Sequence, residues 1–517
     1  MNKEYKYGAI LSYTLIFLGN IIGIIYTPIM LRMLGQAEYG LYSLVGSIIV
    51  TFSLIDLGFG NACIRYVSKY RALGNKYEEF NLNGLFLIIN IILSIITIFV
   101  GLIFFTYIEN IFSNSLTISE LQSFKIMFII LIINLSLSFP LSIFSSIITS
   151  YERFIFPKIL LIIRTLLNPI IILCILSFDY GAVEMVIAHS ILNLFFNLFN
   201  VYYCVIYLKT AFMFKSFNKK LIKEISIYSL FIFIGIIVDK IYWSTGQIVL
   251  GVYSGTLIVS IYAIASQFNM YYMQFSTAIS GMFLPRLTTM VTNKTDSVNL
   301  TDIFIKVGRI QFSIIALVFL LFLLFGKEFI GVWAGIQYTD AYVIALILIG
   351  PYTIPLIQNI GLSILQAKNL HKFRSSILLL IAIGNLIISI PLIKGFGGIG
   401  AATATAISMI IGNIFIMNFY YHIKLKINIP KFWYEIGSMC VPMLPVLLFG
   451  ILLNSILPVG ILCLIIKILL FISLYCTSVY FWGLKKYEQE LLSSPFRKLF
   501  NIIINFNKKE LYFNKEL

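Results

Sequence analysis

Fourteen apolar runs, each about as long as a bilayer is thick, leave this chain few ways to fold. A helix rises about 1.5 Å per residue and needs roughly 20 apolar residues to cross the hydrocarbon. Such runs fall near residues 9–31, 40–64, 84–106, 125–149, 156–177, 183–208, 226–250, 257–284, 307–326, 339–366, 375–393, 398–421, 436–456 and 459–483. In lipid the backbone must satisfy its own polar groups, so a run of this length crosses as a helix. The residues are 60% hydrophobic and only 11% charged, against roughly 25% charged in soluble domains. The expected class is therefore all-α integral membrane, with about 14 transmembrane helices.

Charge placement tests the count. If the N-terminus is cytoplasmic, the even-numbered runs end on the same side, and that side collects 30 of the 37 Lys and Arg residues. Arg65, Lys69, Arg71 and Lys76 follow the second run, and Lys209, Lys215, Lys219, Lys220 and Lys223 follow the sixth. Arg286, Lys294, Lys306 and Arg309 follow the eighth. A miscounted helix would invert every later loop, so the asymmetry predicts both ends in the cytoplasm. It also accounts for a net charge of +16 without a nucleic-acid partner. The first apolar run exceeds a signal-peptide h-region and no A-x-A site follows, so it reads as a span.

Little else in the sequence supports an enzyme. Cys63, Cys174, Cys204, Cys440, Cys463 and Cys476 all lie in apolar segments without a CxxC pair, and read as small buried hydrophobes. His189, His371 and His422 are far apart, and only His189 sits in an apolar run. No catalytic residues, metal ligands or cofactors are expected. Loops are short, so no extramembrane catalytic domain fits. "GFGGIG" (395–400) matches a dinucleotide fingerprint, but its flanks are two membrane runs rather than a strand and helix. Its glycines read as a tight turn that lets the next helix pack closely. "GNIIG" (19–23) is a helix-packing pattern. The segment 493–509 reads as an amphipathic helix, either at the membrane surface or docked on the inner ends of the spans.

Two segments resemble each other: "MLGQAEYGLYSLV" (33–45) and "VLGVYSGTLIVSIYAIA" (249–265). Both carry Leu-Gly, a small polar turn and a Tyr-bearing helix start. They predict parallel repeats about an axis along the membrane normal. The expected domains are an N-lobe at 1–217, a C-lobe at 218–422, and residues 423–517 with two further helices and a cytoplasmic tail.

Charges at membrane depth cost about 2.5–3.5 kcal/mol each on insertion scales, so they are functional candidates. Asp56 lies in the second run, Arg164 in the fifth, Asp239 and Lys240 mid-way through the seventh, and Lys467 in the fourteenth. Arg164 and Lys240 can attract an anion into a hydrated passage; the alternatives are snorkelling to the inner leaflet for Arg164 and structural pairing with neighbouring helices for Asp239 and Lys240. Asp56 and Asp239 can carry a proton, bind a sodium ion or pair with a cation. For Lys467 a structural partner or snorkelling is the expectation. Asn193, Asn197 and Asn200 share one helical face, and Gln267 with Tyr262, Tyr271 and Tyr272 adds groups suited to sugars.

"MLGQAEYGLYSLVGSIIVTFSLIDLGFGNACIRYVSKY" (33–70), "IVSIYAIASQFNMYYMQFSTAISGMFLPRLTTM" (258–290) and "GGIGAATATAISMIIGN" (397–413) together resemble the polysaccharide-biosynthesis exporters. These are the O-antigen and capsule flippases, in the superfamily of multidrug extruders and the lipid II flippase. The resemblance covers roughly residues 7–425. It implies two lobes about a cleft that opens alternately to either side of a bacterial plasma membrane. The implied cargo is a polyprenyl-diphosphate oligosaccharide, with membrane lipids, a polysaccharide polymerase and chain-length proteins as candidate partners. Substrate contacts would come from Arg164, Lys240, Asn197 and Gln267. Asp56 and Asp239 would serve in proton or sodium coupling, or as hinges; for Asp56, in the "DLG" signature, the hinge is favoured. The alternative is a cation-coupled small-molecule or drug antiporter.

Overall fold

The computed structural model describes residues 3–215, 219–292, 297–368 and 370–490; the tail helix expected at 493–509 lies outside them. No strand occurs among the described residues. The helices are α1 (Lys3–Leu34), α2 (Gln36–Phe52), α3 (Phe59–Ala72), α4 (Lys76–Phe112), α5 (Ile118–Ser150), α6 (Ile155–Ser177), α7 (Ala182–Tyr202), α8 (Lys219–Tyr253), α9 (Gly255–Thr292) and α10 (Ser297–Trp333). They continue as α11 (Ala341–Ile357), α12 (Ile360–Ala367), α13 (His371–Met409), α14 (Met417–Ile423), α15 (Ile429–Cys440), α16 (Met443–Ile456) and α17 (Ile461–Ser478). The class is the all-α membrane protein expected.

Among the described residues nine helices are long and apolar enough to cross a membrane, or ten if α15 and α16, bent by 42°, form one span. One of the nine, Ser376–Ile423, is 48 residues long, twice what a crossing needs. It turns at Gly397, whose φ of 53° and ψ of −129° are non-helical. A Cβ at Gly400 would lie 2.0 Å from the Leu392 carbonyl oxygen, so the "GFGGIG" glycines make a tight turn between close-packed helices. Glycines with positive φ also open the two similar segments, Gly35 (φ 80°) before α2 and Gly255 (φ 78°) at the start of α9. A side chain there would meet the carbonyl oxygen.

The chain forms two compact units. The first comprises Met1–Tyr271, Trp333–Leu348 and Lys372–Gly412; the second comprises Tyr272–Val332, Ile349–His371 and Asn413–Leu517.

In the first unit Phe59, Tyr66, Val67, Phe86, Phe139, Ile143 and Ile147 build a core among α3, α4 and α5. Helix starts are capped from the sequence: Asn75 accepts from the Glu78 N–H at 3.1 Å before α4, and Thr117 and Glu120 form a reciprocal capping box before α5. Pro28 and Pro140 interrupt α1 and α5. Each proline lacks an N–H and leaves the carbonyl four residues earlier without its helical donor. Trp333 Nε1 donates to the Ile24 carbonyl at 2.7 Å, and Ser94 Oγ to the Ser136 carbonyl at 2.7 Å. These are the two orphaned acceptors.

At the end of this unit that carries the α4–α5 turn, α2 and the α8–α9 corner pack without space. A Cβ on Gly40 would sit 2.0 Å from the Thr256 carbonyl oxygen. Thr256 Oγ1 donates to Glu120 at 2.7 Å, and Ser115 Oγ to the Gly251 carbonyl at 2.6 Å. At the other end, residues 208–214 cross the start of α4 as a strap. The Met213 N–H donates to the Phe80 carbonyl at 2.9 Å and Asn83 Nδ2 to the Ala211 carbonyl at 3.2 Å. Gly84 is bare where Met213 passes.

The second unit is stapled by two buried cations, Lys467 and Arg309. Lys467 Nζ, fully buried on α17, donates to Glu328 at 2.8 Å and to Asn454 at 3.3 Å. Of the two readings of Lys467, the structural partner is therefore the one observed. Arg309, counted above among loop cations, is instead 2% exposed. Its Nε donates to Glu488 at 2.8 Å, Nη1 to Glu435 at 3.1 Å, and Nη2 to the Gly483 carbonyl at 2.8 Å. One guanidinium thus ties α10 to α15 and to the segment after α17.

Burial would push the Glu488 carboxyl up, but bonds from Arg309, Tyr487 and the Lys485 N–H hold it below the usual range. Its folded value is therefore depressed. The stabilisation is full above the ordinary carboxylate range and is lost as pH falls through the folded value. Arg309→Ala should cost about 3–5 kcal/mol, because it strands a buried carboxylate. Glu488→Gln should flatten the loss of thermal stability on acidification. Both are checked by melting curves of the detergent-purified protein between pH 3 and 7. Gly40→Ala should cost about 1–3 kcal/mol by overpacking against Thr256, read by the same melts.

Candidate functional site

Helix α2 stops at Phe52, and the chain tightens into a 3-10 turn over Ser53–Asp56. Leu57 (φ 52°) and Gly58 (φ 75°) then take left-handed conformations before α3 resumes at Phe59. For a leucine that conformation costs about 1–2 kcal/mol. The "DLG" triplet is thus a break in the middle of the second span. Asp56 lies half-buried at its edge. Among the described residues no cation forms an ion pair with it. Asp239 lies on α8, and its side chain is outside those described. Lys240, next to it, is half-buried.

Polar residues converge on α5, α6 and α7. Asn193 Nδ2 on α7 donates to Asn134 Oδ1 at 2.8 Å and to Ser138 Oγ at 2.9 Å on α5. Asn134 Nδ2 returns a bond to the Ser190 carbonyl at 2.9 Å. One turn along α7, His189 Nδ1 lies 3.1 Å from Asn168 Oδ1 on α6. One turn along α6 from Asn168 is Arg164. Each helix contributes polar groups at i and i+4, so the three sets meet as a ladder.

The ladder turns away from the most exposed aliphatic stripes. On α7 the stripe is Ile187, Ile191, Phe195, Leu198 and Tyr202. At about 100° per residue, His189, Asn193 and Asn197 lie on the opposite side. On α6 the stripe is Ile159, Ile163, Leu166, Leu167 and Ile170, and Arg164 and Asn168 are turned roughly 120–160° from its centre, on the side where the exposed Leu161 also lies. Arg164 is half-buried and has no carboxylate partner among the described residues. A charge at this depth without a counter-ion is costly.

Gln267 on α9 lies in a different contact. Its Nε2 donates to Thr27 Oγ1 at 3.0 Å and to the Tyr271 hydroxyl at 2.8 Å, tying α9 to the kinked part of α1. Arg164 lies one turn of α6 from Asn168 and Asn197 one turn of α7 from Asn193, Gln267 belongs to the α1–α9 contact, and Lys240 stands on α8. Sequence reading missed Asn134 and Ser138. Their i, i+4 spacing inside an apolar run, the same as Arg164–Asn168 and His189–Asn193, was the available signal.

Comparison with known proteins agrees with this architecture. The lipid II flippase MurJ, in an inward closed conformation, superposes with a TM-score of 0.71 at 18% identity, covering 95% of this chain and all of that one. An inward-facing multidrug-resistance transporter of the MATE family gives 0.59 at 13% identity, covering 78% of this chain and 98% of the other. These likenesses establish the fold. A proposed O-antigen transporter of Salmonella typhimurium strain LT2 is 30% identical over 95 residues, 18% of this chain. That match spans only about a fifth of the relative, 20% of its length. The model of the family described as polysaccharide biosynthesis protein matches residues 6–291, more than half of the chain. By that match, this multi-pass membrane protein belongs to the polysaccharide biosynthesis protein family.

Proposed function

We propose that the protein is a flippase, moving a polyprenyl-diphosphate-linked oligosaccharide from the cytoplasmic to the outer leaflet by alternating access, for cell-surface polysaccharide assembly. The membrane would be a bacterial plasma membrane with both termini in the cytoplasm. The observation that carries this reading is Arg164, a guanidinium at mid-depth with no described counter-charge, set in the α5–α6–α7 ladder. A diphosphate headgroup cannot enter hydrocarbon without replacing its lost hydration, and a cation with amide and hydroxyl neighbours supplies that replacement. The polyprenyl tail needs no such help and can stay in lipid. Lys240 would add a second cation from α8. Asn197 and Gln267 would receive sugar hydroxyls. Proton or sodium coupling would involve Asp56 or Asp239, and a polysaccharide polymerase and chain-length proteins would take the product onward.

The second reading is a cation-coupled antiporter, favoured by the multidrug-resistance likeness. It wants carboxylates in the site, whereas the described ladder contains none.

The test is reconstitution in liposomes with a fluorescent polyprenyl-diphosphate glycan, measuring its accessibility on the far side. A charge-assisted contact contributes about 1.5–3 kcal/mol, so Arg164→Ala and Lys240→Ala should each slow flipping about 10- to 100-fold. Wild-type rates in both variants would refute the site, and no flipping by the wild type would refute the function.

A further inference from the structure

Every member of the ladder except one keeps the same charge across physiological pH. The exception is His189. It is half-buried on α7, and its Nδ1 is bonded to Asn168 Oδ1 at 3.1 Å. An amide oxygen accepts, so Nδ1 carries the proton and the neutral ring keeps its lone pair on Nε2. Nε2 has no hydrogen-bond partner among the described residues. The groups around His189 can be named element by element. From α6, Asn168 holds it, and Arg164 stands one turn along the same helix from Asn168. From α5 come Asn134 and Ser138, which do not titrate. The carboxylates nearest along the chain are occupied at the far end of α7, where Glu184 accepts from the Gly181 N–H at 3.0 Å and Glu38 of α2 from the Ala182 N–H at 2.9 Å.

Resting on the flippase reading, we infer that His189 is a second headgroup-contacting residue, which takes up one proton from the entry-side water when the diphosphate binds and releases it when the diphosphate leaves. The reasoning is electrostatic. With the site empty, an imidazolium beside Arg164 would place two unscreened cations together in a low-dielectric region. A diphosphate lying against both reverses the field. Nε2 then gains a proton and becomes a donor to a phosphate oxygen, while Nδ1 keeps its bond to Asn168. No bond in the cargo changes, and the proton moves only between water and Nε2. Asn168 fixes which nitrogen meets the ligand, so it is a positioning residue.

The experiment uses the full chain in lipid nanodiscs with farnesyl diphosphate as the probe, its affinity measured from pH 5.5 to 8. Phosphate ionisation itself varies over this range, so His189→Gln is the internal reference. Wild type should gain affinity relative to His189→Gln as pH falls, approaching tenfold per pH unit, the limit for one linked proton. Asn168→Asp puts a carboxylate beside Nδ1–H, which favours the imidazolium, and should move this limb to higher pH. Parallel profiles for wild type and His189→Gln overturn the inference. Should His189→Gln fail to fold, as judged by melting, an Asn168→Asp profile identical to wild type overturns it. The flippase reading fails separately: it falls if the wild type does not bind the probe, or if Arg164→Ala binds as well as wild type.

Discussion

Inside a bilayer an unpaired backbone group has no water to turn to, and this requirement organises the structure. Helices meet it along their length, so what distinguishes the chain is how it repairs the places where helices stop or bend. The Trp333 indole and the Ser94 hydroxyl each reach a carbonyl that a proline has orphaned. The Leu356 carbonyl, at the break between α11 and α12, accepts from Ser276 Oγ at 2.7 Å. At the Asp56–Gly58 break the chain turns through two left-handed residues, and the Leu57 N–H donates to the Leu54 carbonyl at 3.1 Å. These repairs fix the irregular points of the bundle, and functional side chains are positioned relative to them.

The same rule applied to side chains explains the two kinds of buried charge. Lys467 and Arg309 meet carboxylates directly and serve as fasteners between helices. Arg164 is half-buried on α6 and forms no ion pair with any described residue. A cancelled charge stabilises one arrangement. An uncancelled one is the feature on which the proposed headgroup contact rests.

Much of this could be read before any coordinates. Apolar run length gave the helical class, because crossing distance is set by the bilayer rather than by tertiary contacts. The turn at Gly397 and the deep position of Arg164 were legible for the same reason. Pairing was not. Arg309 follows an apolar run and so looks like a loop cation; only the return of residues 485–490 beside α10 buries it. Asn134 and Ser138 are unremarkable within α5 and gain meaning from Asn193, over fifty residues later. Asp56 was legible as an oddity but not as the edge of a helix break, since Leu57 gives no hint of a left-handed backbone. Lys240 and Gln267 were grouped with Arg164 by chemistry, whereas the packing puts Gln267 against α1.

The bond between Trp333 and Ile24 joins positions 309 residues apart, and it exists because Pro28 withdrew a donor. The indole and the proline therefore form one thermodynamic unit. Without the proline the Ile24 carbonyl would regain a helical partner and the indole its freedom; without the indole the proline would leave a bare dipole in a dry interior. Sequence drift at either position is thus conditional on the other, an epistatic tie between the first helix and the end of the tenth, with the backbone oxygen between them as its only medium.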